Sequence, residues 1–174
     1  MKSNEVVSPD KAANYLRLGK AHVVVRWAEA RLRNNPHDLQ SRELLARALW
    51  ATGAHRALLD QLAILIDQNP YEPGYHALRG AVLEAQGFTG EAIKALSRAR
   101  TTEAIERIEL LESMQKEQIE SLMELNPEAR AAFRADLRRA CETYGFAFAP
   151  PQESRRKDLS KRAVVRMSDW VRPS

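Results

Sequence analysis

The segments RNNPHD (33–38) and DQNPYE (67–72) share one pattern, an Asn-Pro pair followed by two residues of which the second is acidic. Pro36 and Pro70 stand 34 residues apart. Proline lacks an amide hydrogen and its ring clashes with the preceding turn, so a helix stops before it. The asparagine ahead of each proline is pushed out of the helical region, and the residues after the proline open the next helix. Gly19, Gly53 and Gly87 carry the same 34-residue period. Each closes an apolar helical pattern, at the place where a left-handed residue ends a helix. The punctuation predicts one helix from each Gly to the next Pro and another from each Pro to the next Gly. A fixed period of this length is the mark of stacked supersecondary units.

Apolar and small residues keep the register. The sets are Ala12/Ala46/Gly80, Tyr15/Leu49/Leu83, Val24/Leu58/Ala92 and Ala28/Leu62/Leu96. A small side chain facing a large one at constant spacing lets two antiparallel helices approach closely. Seven Gly and eight Pro in 174 residues leave little room for the turns of an all-β chain. The predicted class is all-α.

The stretches LLARALWATGAHRALLDQLAILIDQNP (44–70) and LRGAVLEAQGFTGEAIKALSRA (78–99) carry a family resemblance. In period, glycine placement and small residues they resemble the tetratricopeptide repeat family, whose unit is a helix–turn–helix. The likeness spans about residues 8–100 as repeats 5–38, 39–72 and 73–106. The first is degenerate, with Ser8-Pro9 capping a shortened opening helix and Val24 and Arg31 where alanines are expected. The resemblance implies a solenoid wound as a right-handed superhelix. Its concave surface would be lined by the first helix of each unit: Asp10, Ala13 and Leu16, then Glu43, Leu44, Arg47 and Trp50, then Ala77, Leu78, Ala81 and Ala85. Members that grip C-terminal carboxylates use Lys, Arg and Asn along this lining. Pro9, Ala13, Leu44, Gly74 and Leu78 stand at the matching positions here, so that clamp is not implied.

Beyond the repeats, residues 103–125 read as one long helix with Thr102 as its cap, spanning about 35 Å at 1.5 Å per residue. It holds seven Glu against Arg107 and Lys116. Ile105, Ile108, Leu111, Ile119, Leu122 and Met123 give it an apolar face, interrupted by Gln115 and Gln118. Asn126-Pro127 opens a second helix, with Phe133, Leu137, Ala140, Cys141 and Tyr144 on one face and Gly145 at its end. These two C-terminal helices, within 103–145, are expected to cap the solenoid. FAFAPPQE (146–153) reads as an extended linker, since Pro150-Pro151 forbids helix.

The charge sits at one end. Residues 151–174 carry seven basic and three acidic side chains, an excess of +4 that equals the net charge of the whole chain. The remaining residues are neutral, which argues against a nucleic-acid-binding body. Ser160 can cap a short helix in this 146–174 tail, with Ala163, Val164, Met167, Trp170 and Val171 on one stripe. Arg162, Val164, Arg166, Met167 and Trp170 are the candidate docking residues of the tail, which could dock on a partner or in cis on the Glu-rich helix.

No reaction chemistry is legible. The four histidines are scattered without ligand spacing, no Gly-rich phosphate loop follows a strand, and Cys141 reads as a buried thiol. No catalytic residue, metal or cofactor is expected. The opening MKSNEVVSPDK lacks the apolar run of a signal peptide, which points to the cytoplasm and away from a membrane.

The expected function is therefore a non-enzymatic adaptor. It would bind a peptide or partner helix in the repeat groove through Leu16, Glu43, Leu44, Arg47, Trp50, Leu78, Ala81 and Ala85. Three other readings stand beside it. The size and repeat number are similar to those of the chaperones of type III secretion translocators. NPYEPGYHALRGAVLEAQGFTGEAI (69–93) is similar to the helical regulatory domain of bacterial transcriptional activators, though without a winged DNA-binding domain. The basic tail could bind nucleic acid, but only Trp170 interleaves with its charges, which ranks nucleic acid behind a protein partner.

Overall fold

The computed structural model describes residues 8–149, and among these residues it contains only helices and their connections. The tail residues Arg162, Val164, Arg166, Met167 and Trp170 lie outside the described range, as do Pro150-Pro151. The helices are α1 (Pro9–Arg17), α2 (Ala21–Asn34), α3 (Leu39–Ala51), α4 (His55–Gln68), α5 (Pro73–Ala85), α6 (Thr89–Ala99), α7 (Thr102–Leu125), α8 (Pro127–Ala135) and α9 (Leu137–Tyr144).

The 34-residue period is written into the backbone. α2, α4 and α6 begin at residues 21, 55 and 89, and α3 and α5 at 39 and 73. Gly19, Gly53 and Gly87 have φ of 70°, 70° and 82°. At each turn the glycine N–H donates to the carbonyl three residues back, and the next N–H donates to the carbonyl five residues back. The acceptors of the second set are Tyr15, Leu49 and Leu83, again 34 apart. This is the paired closure of a helix by a left-handed residue, which satisfies carbonyls that the helix end would otherwise orphan.

The chain divides into two compact units at the second Asn-Pro turn, between Tyr71 and Glu72. The first holds α1–α4. Here α1 packs on α2 and α3, α2 on α3, and α3 on α4. Ala12, Val24, Ala28, Ala46, Leu58 and Leu62, all from the register sets, are fully buried.

Asp38 makes the α2–α3 turn. Its Oδ1 accepts from the Ser41 amide at 3.1 Å, capping α3, and its Oδ2 accepts from Arg31 and from the Ser41 hydroxyl. Arg31 replaces an apolar residue of the period (Leu65 and Ala99 are its buried counterparts) and reaches across the turn while lying over the Trp27 ring at 5.5 Å. Burial raises the Asp38 carboxyl, but the Ser41 and Arg31 hydrogen bonds outweigh it and hold the carboxyl below its ordinary value. A depressed folded value means stability that is present above the unfolded value and lost as pH falls through the folded one. Asp38→Ala is expected to cost about 1–2 kcal/mol at neutral pH. That difference should shrink below about pH 4, as read by urea denaturation of both proteins at pH 7 and pH 3.

The second unit holds α5–α9. α5 packs on α6, and α6 on α7, around Ala77, Ala92, Ile93, Leu96, Ile108 and Leu111. Gly80 lets α5 and α6 close up, because a β-carbon there would sit 2.6 Å from Leu96 Cγ. Arg107 of α7 makes a bidentate pair with Glu84 of α5. The period ends here: α6 closes on Arg100 at φ 54°, and Thr101 caps α7 through the Ala104 amide. Thr102 is thus the first residue of α7 rather than its cap, because Thr101 already offers the hydroxyl one residue earlier.

The single helix expected from Pro127 to Gly145 is two. Asp136 has extended backbone, ends α8 and caps α9 by accepting from the Arg139 amide at 3.1 Å. Aspartate competes with the helix for its own backbone, which is why a break falls there. Leu137 consequently lands in the first turn of α9 at 61% exposure instead of on the buried face. Ala129, Phe133, Ala140 and Cys141 do pack together with Ile119. Burial pushes the Cys141 thiol up, and the adjacent Glu142 charge adds to it, so the sulfur stays protonated and inert.

Candidate binding surfaces

Within the first unit the candidate residues lie on α1 and α3. Helical spacing puts Glu43, Arg47 and Trp50 on one stripe of α3, and all three are half-buried, as are Ala13 and Leu16 of α1. The Trp50 ring stacks on His55, centroids 5.8 Å apart and 26° from coplanar, at the first residue of α4. The indole is therefore fixed by its own unit and still offers part of its surface. Leu44 is different. It is 6% exposed and belongs to the core with Ala12, Ala21, Val24 and Ala48.

In the second unit, Leu78 is 0% exposed and Ala77 is 1% exposed, so both are core residues. Ala81 is half-buried and Ala85 exposed. Leu44 and Leu78 are thus corrected from lining to core. Leu44 lies one residue round the helix from Glu43, where a 100° step turns a side chain inward, and Leu78 lies beside Ala77 on the buried side of α5. The remaining residues, Leu16, Glu43, Arg47 and Trp50 in one unit and Ala81 and Ala85 in the other, keep surface that a partner can touch.

Trp50→Ala is expected to weaken partner binding by about 2 kcal/mol, the loss typical of a half-exposed aromatic anchor, with a smaller fall in thermal stability from the lost His55 stacking. Equal losses in a binding titration and a thermal melt would place Trp50 in the core alone.

A second surface was hidden from the sequence by its polarity. Gln115, on the apolar stripe of α7 between Leu111 and Ile119, is 1% exposed. Its Nε2 donates to the Ala147 carbonyl and its Oε1 accepts from the Ala147 amide, each at 2.9 Å. Glu112, one turn earlier, accepts from the Ala149 amide at 2.6 Å. Phe146 meets Phe133 at 6.2 Å, and Gly90 lies so close that a β-carbon would be 2.5 Å from the Gly145 carbonyl. Residues 146–149, the start of the expected extended linker, are therefore held against α6–α9 by backbone recognition. The signal was present in Gln115: a polar residue on a buried stripe needs partners for both amide ends.

Among the described residues no cluster of three or more His, Cys, Asp or Glu is placed to hold a metal ion. No helix there is long and apolar enough to cross a membrane. Comparison with known proteins returns no match among family models, curated proteins or solved structures.

Proposed function

We propose that the chain is a tetratricopeptide-type adaptor, acting without catalysis in the cytoplasm, that holds a peptide or helix of another protein against the first helices of its repeats. The observation that carries this reading is the recurrence of helix starts and left-handed glycines at 34 residues. A repeated helix pair gives each unit the same two faces, and the first-helix face is the one left with half-exposed Leu16, Glu43, Arg47 and Trp50. An indole fixed by stacking loses little freedom when it is covered, and the flanking Glu43 and Arg47 supply charge of both signs to orient a segment. The partner chemistry that fits is an amphipathic segment with one apolar anchor and charges on either side of it.

The test is site-specific photo-crosslinking of the full chain in cell extract. A benzophenone amino acid is placed at Leu16, Arg47 or Trp50, and as controls at the exposed Arg26 and Arg56 of the second helices. Cross-links from the three first-helix sites should map by mass spectrometry to one segment of one protein, and a synthetic peptide of that segment should compete them away. Cross-links of equal yield from Arg26 and Arg56, or none from the first helices, would overturn the proposal.

A further inference from the structure

We infer that the first unit carries a second, unrelated binding site: a pocket for a compact oxyanion, a carboxylate or phosphate group, built around Arg42. The pocket, about 440 Å³ in volume, opens where α2, α3 and α4 meet and is lined by Glu29, Leu32, Arg33, Arg42, Leu45 and Gln61. Arg42 is 7% exposed, and its guanidinium holds only neutral partners. Nη1 donates to Gln61 Oε1 at 2.7 Å, Nη2 donates to the Pro36 carbonyl at 2.6 Å, and Nε is buried with no acceptor. Among the described residues no carboxylate pairs with it. A buried cation without a counter-charge is costly, and a bound anion would supply the missing charge.

The second observation is Gln61. Arginine is a donor only, so the Gln61 oxygen must be the atom facing Nη1. The Gln61 amide nitrogen is then turned away from Arg42 with both hydrogens to give, and no acceptor for it exists among the described residues. Arg33 adds a third donor group on the last turn of α2. The pocket thus gathers the unpaired Arg42 Nε, the Arg33 guanidinium and the Gln61 NH₂ against the single rim carboxylate of exposed Glu29. Planar donor forks of this kind match carboxylate and phosphate oxygens. A pocket of this volume admits such a group with some of its water.

The probes are inorganic phosphate and acetate, added in separate titrations to the ¹⁵N-labelled full chain at ionic strength held constant with sodium chloride. The Arg42 Nε–Hε and Gln61 side-chain NH₂ resonances should shift and saturate. The anion that saturates them at the lower concentration tells whether the natural group is a phosphate or a carboxylate. Arg33→Gln, at an exposed position, should weaken that binding by about tenfold, the loss of one hydrogen bond to a charged group. The Ala92 and Leu111 amide shifts, in the second unit, should stay unmoved. Arg42→Gln should abolish it, provided its thermal melt remains cooperative. If Arg42→Gln does not fold, the wild-type and Arg33→Gln titrations decide. Shifts that rise linearly without saturating for both anions, or an affinity unchanged in Arg33→Gln, would overturn the site.

Discussion

Gln115→Ala is expected to destabilise the protein by about 2–4 kcal/mol, since a buried polar group stripped of its partner costs about 1–3 kcal/mol and the substitution strips two. The N–H and C=O of Ala147 both depend on the one side chain, and both bonds are buried. Removing it leaves the choice between two orphaned backbone groups and release of residues 146–149 from α7. Release uncovers part of Phe133 and Cys141, which Phe146 helps to cover, so neither outcome is cheap. Urea denaturation should show the loss, and hydrogen exchange at the Ala147 amide should accelerate toward the rate of an unprotected amide. Gln115→Glu is an instructive companion. It keeps an acceptor for the Ala147 N–H but sets a carboxylate oxygen against the Ala147 carbonyl, and should cost as much. A loss below about 0.5 kcal/mol, within the noise of ordinary surface substitutions, with Ala147 still protected, would show that Gln115 does not hold the segment.

Gly80→Val should lower stability by about 3 kcal/mol, at the upper end for overpacking a closed core. The first added carbon alone would lie 2.6 Å and 2.7 Å from Leu96 Cγ and Cδ2. Leu96 is 1% exposed and packed with Ala92, Ile93 and Ile108, so it has no free volume to swing into. Helix propensity works the other way, since any residue with a β-carbon is favoured over glycine in a helix interior by up to about 1 kcal/mol. The clash is expected to win because α5 and α6 would have to separate along their length. Trimming the opposing side chain is the check on cause. Leu96→Ala alone should be strongly destabilising through the cavity it leaves, yet combined with Gly80→Val it should cost less than the two losses added. Additive losses in thermal melts of the three variants would mean that Gly80 and Leu96 are not coupled.

Part of this molecule was readable without coordinates, and the reason is that the information is local. A proline that cannot continue a helix and a glycine that alone adopts positive φ act through their own backbone. Pro36, Pro70, Gly19, Gly53 and Gly87 therefore placed α2–α5 to within a few residues, together with the end of α1 and the start of α6. The register sets were likewise legible, because a buried stripe repeats with the helix. Asp136 was local too, but an aspartate inside an apolar pattern caps a helix in some contexts and faces water in others. Only the packing of α8 and α9 around Phe133 selects the first.

What the sequence left undecided were the polar residues at buried positions. Arg42 lies on the stripe of Leu45 and Leu49, and Gln115 on that of Leu111 and Ile119. By pattern each is a flaw in an apolar face. Each becomes a binding group only because a distant segment supplies the other half: Gln61 and the Pro36 carbonyl for Arg42, the Ala147 backbone for Gln115. The same holds for Leu44 and Leu78, whose inward turn depends on which neighbouring helix arrives. Backbone punctuation is set residue by residue, whereas the value of a buried polar or apolar side chain is set by what tertiary structure brings against it.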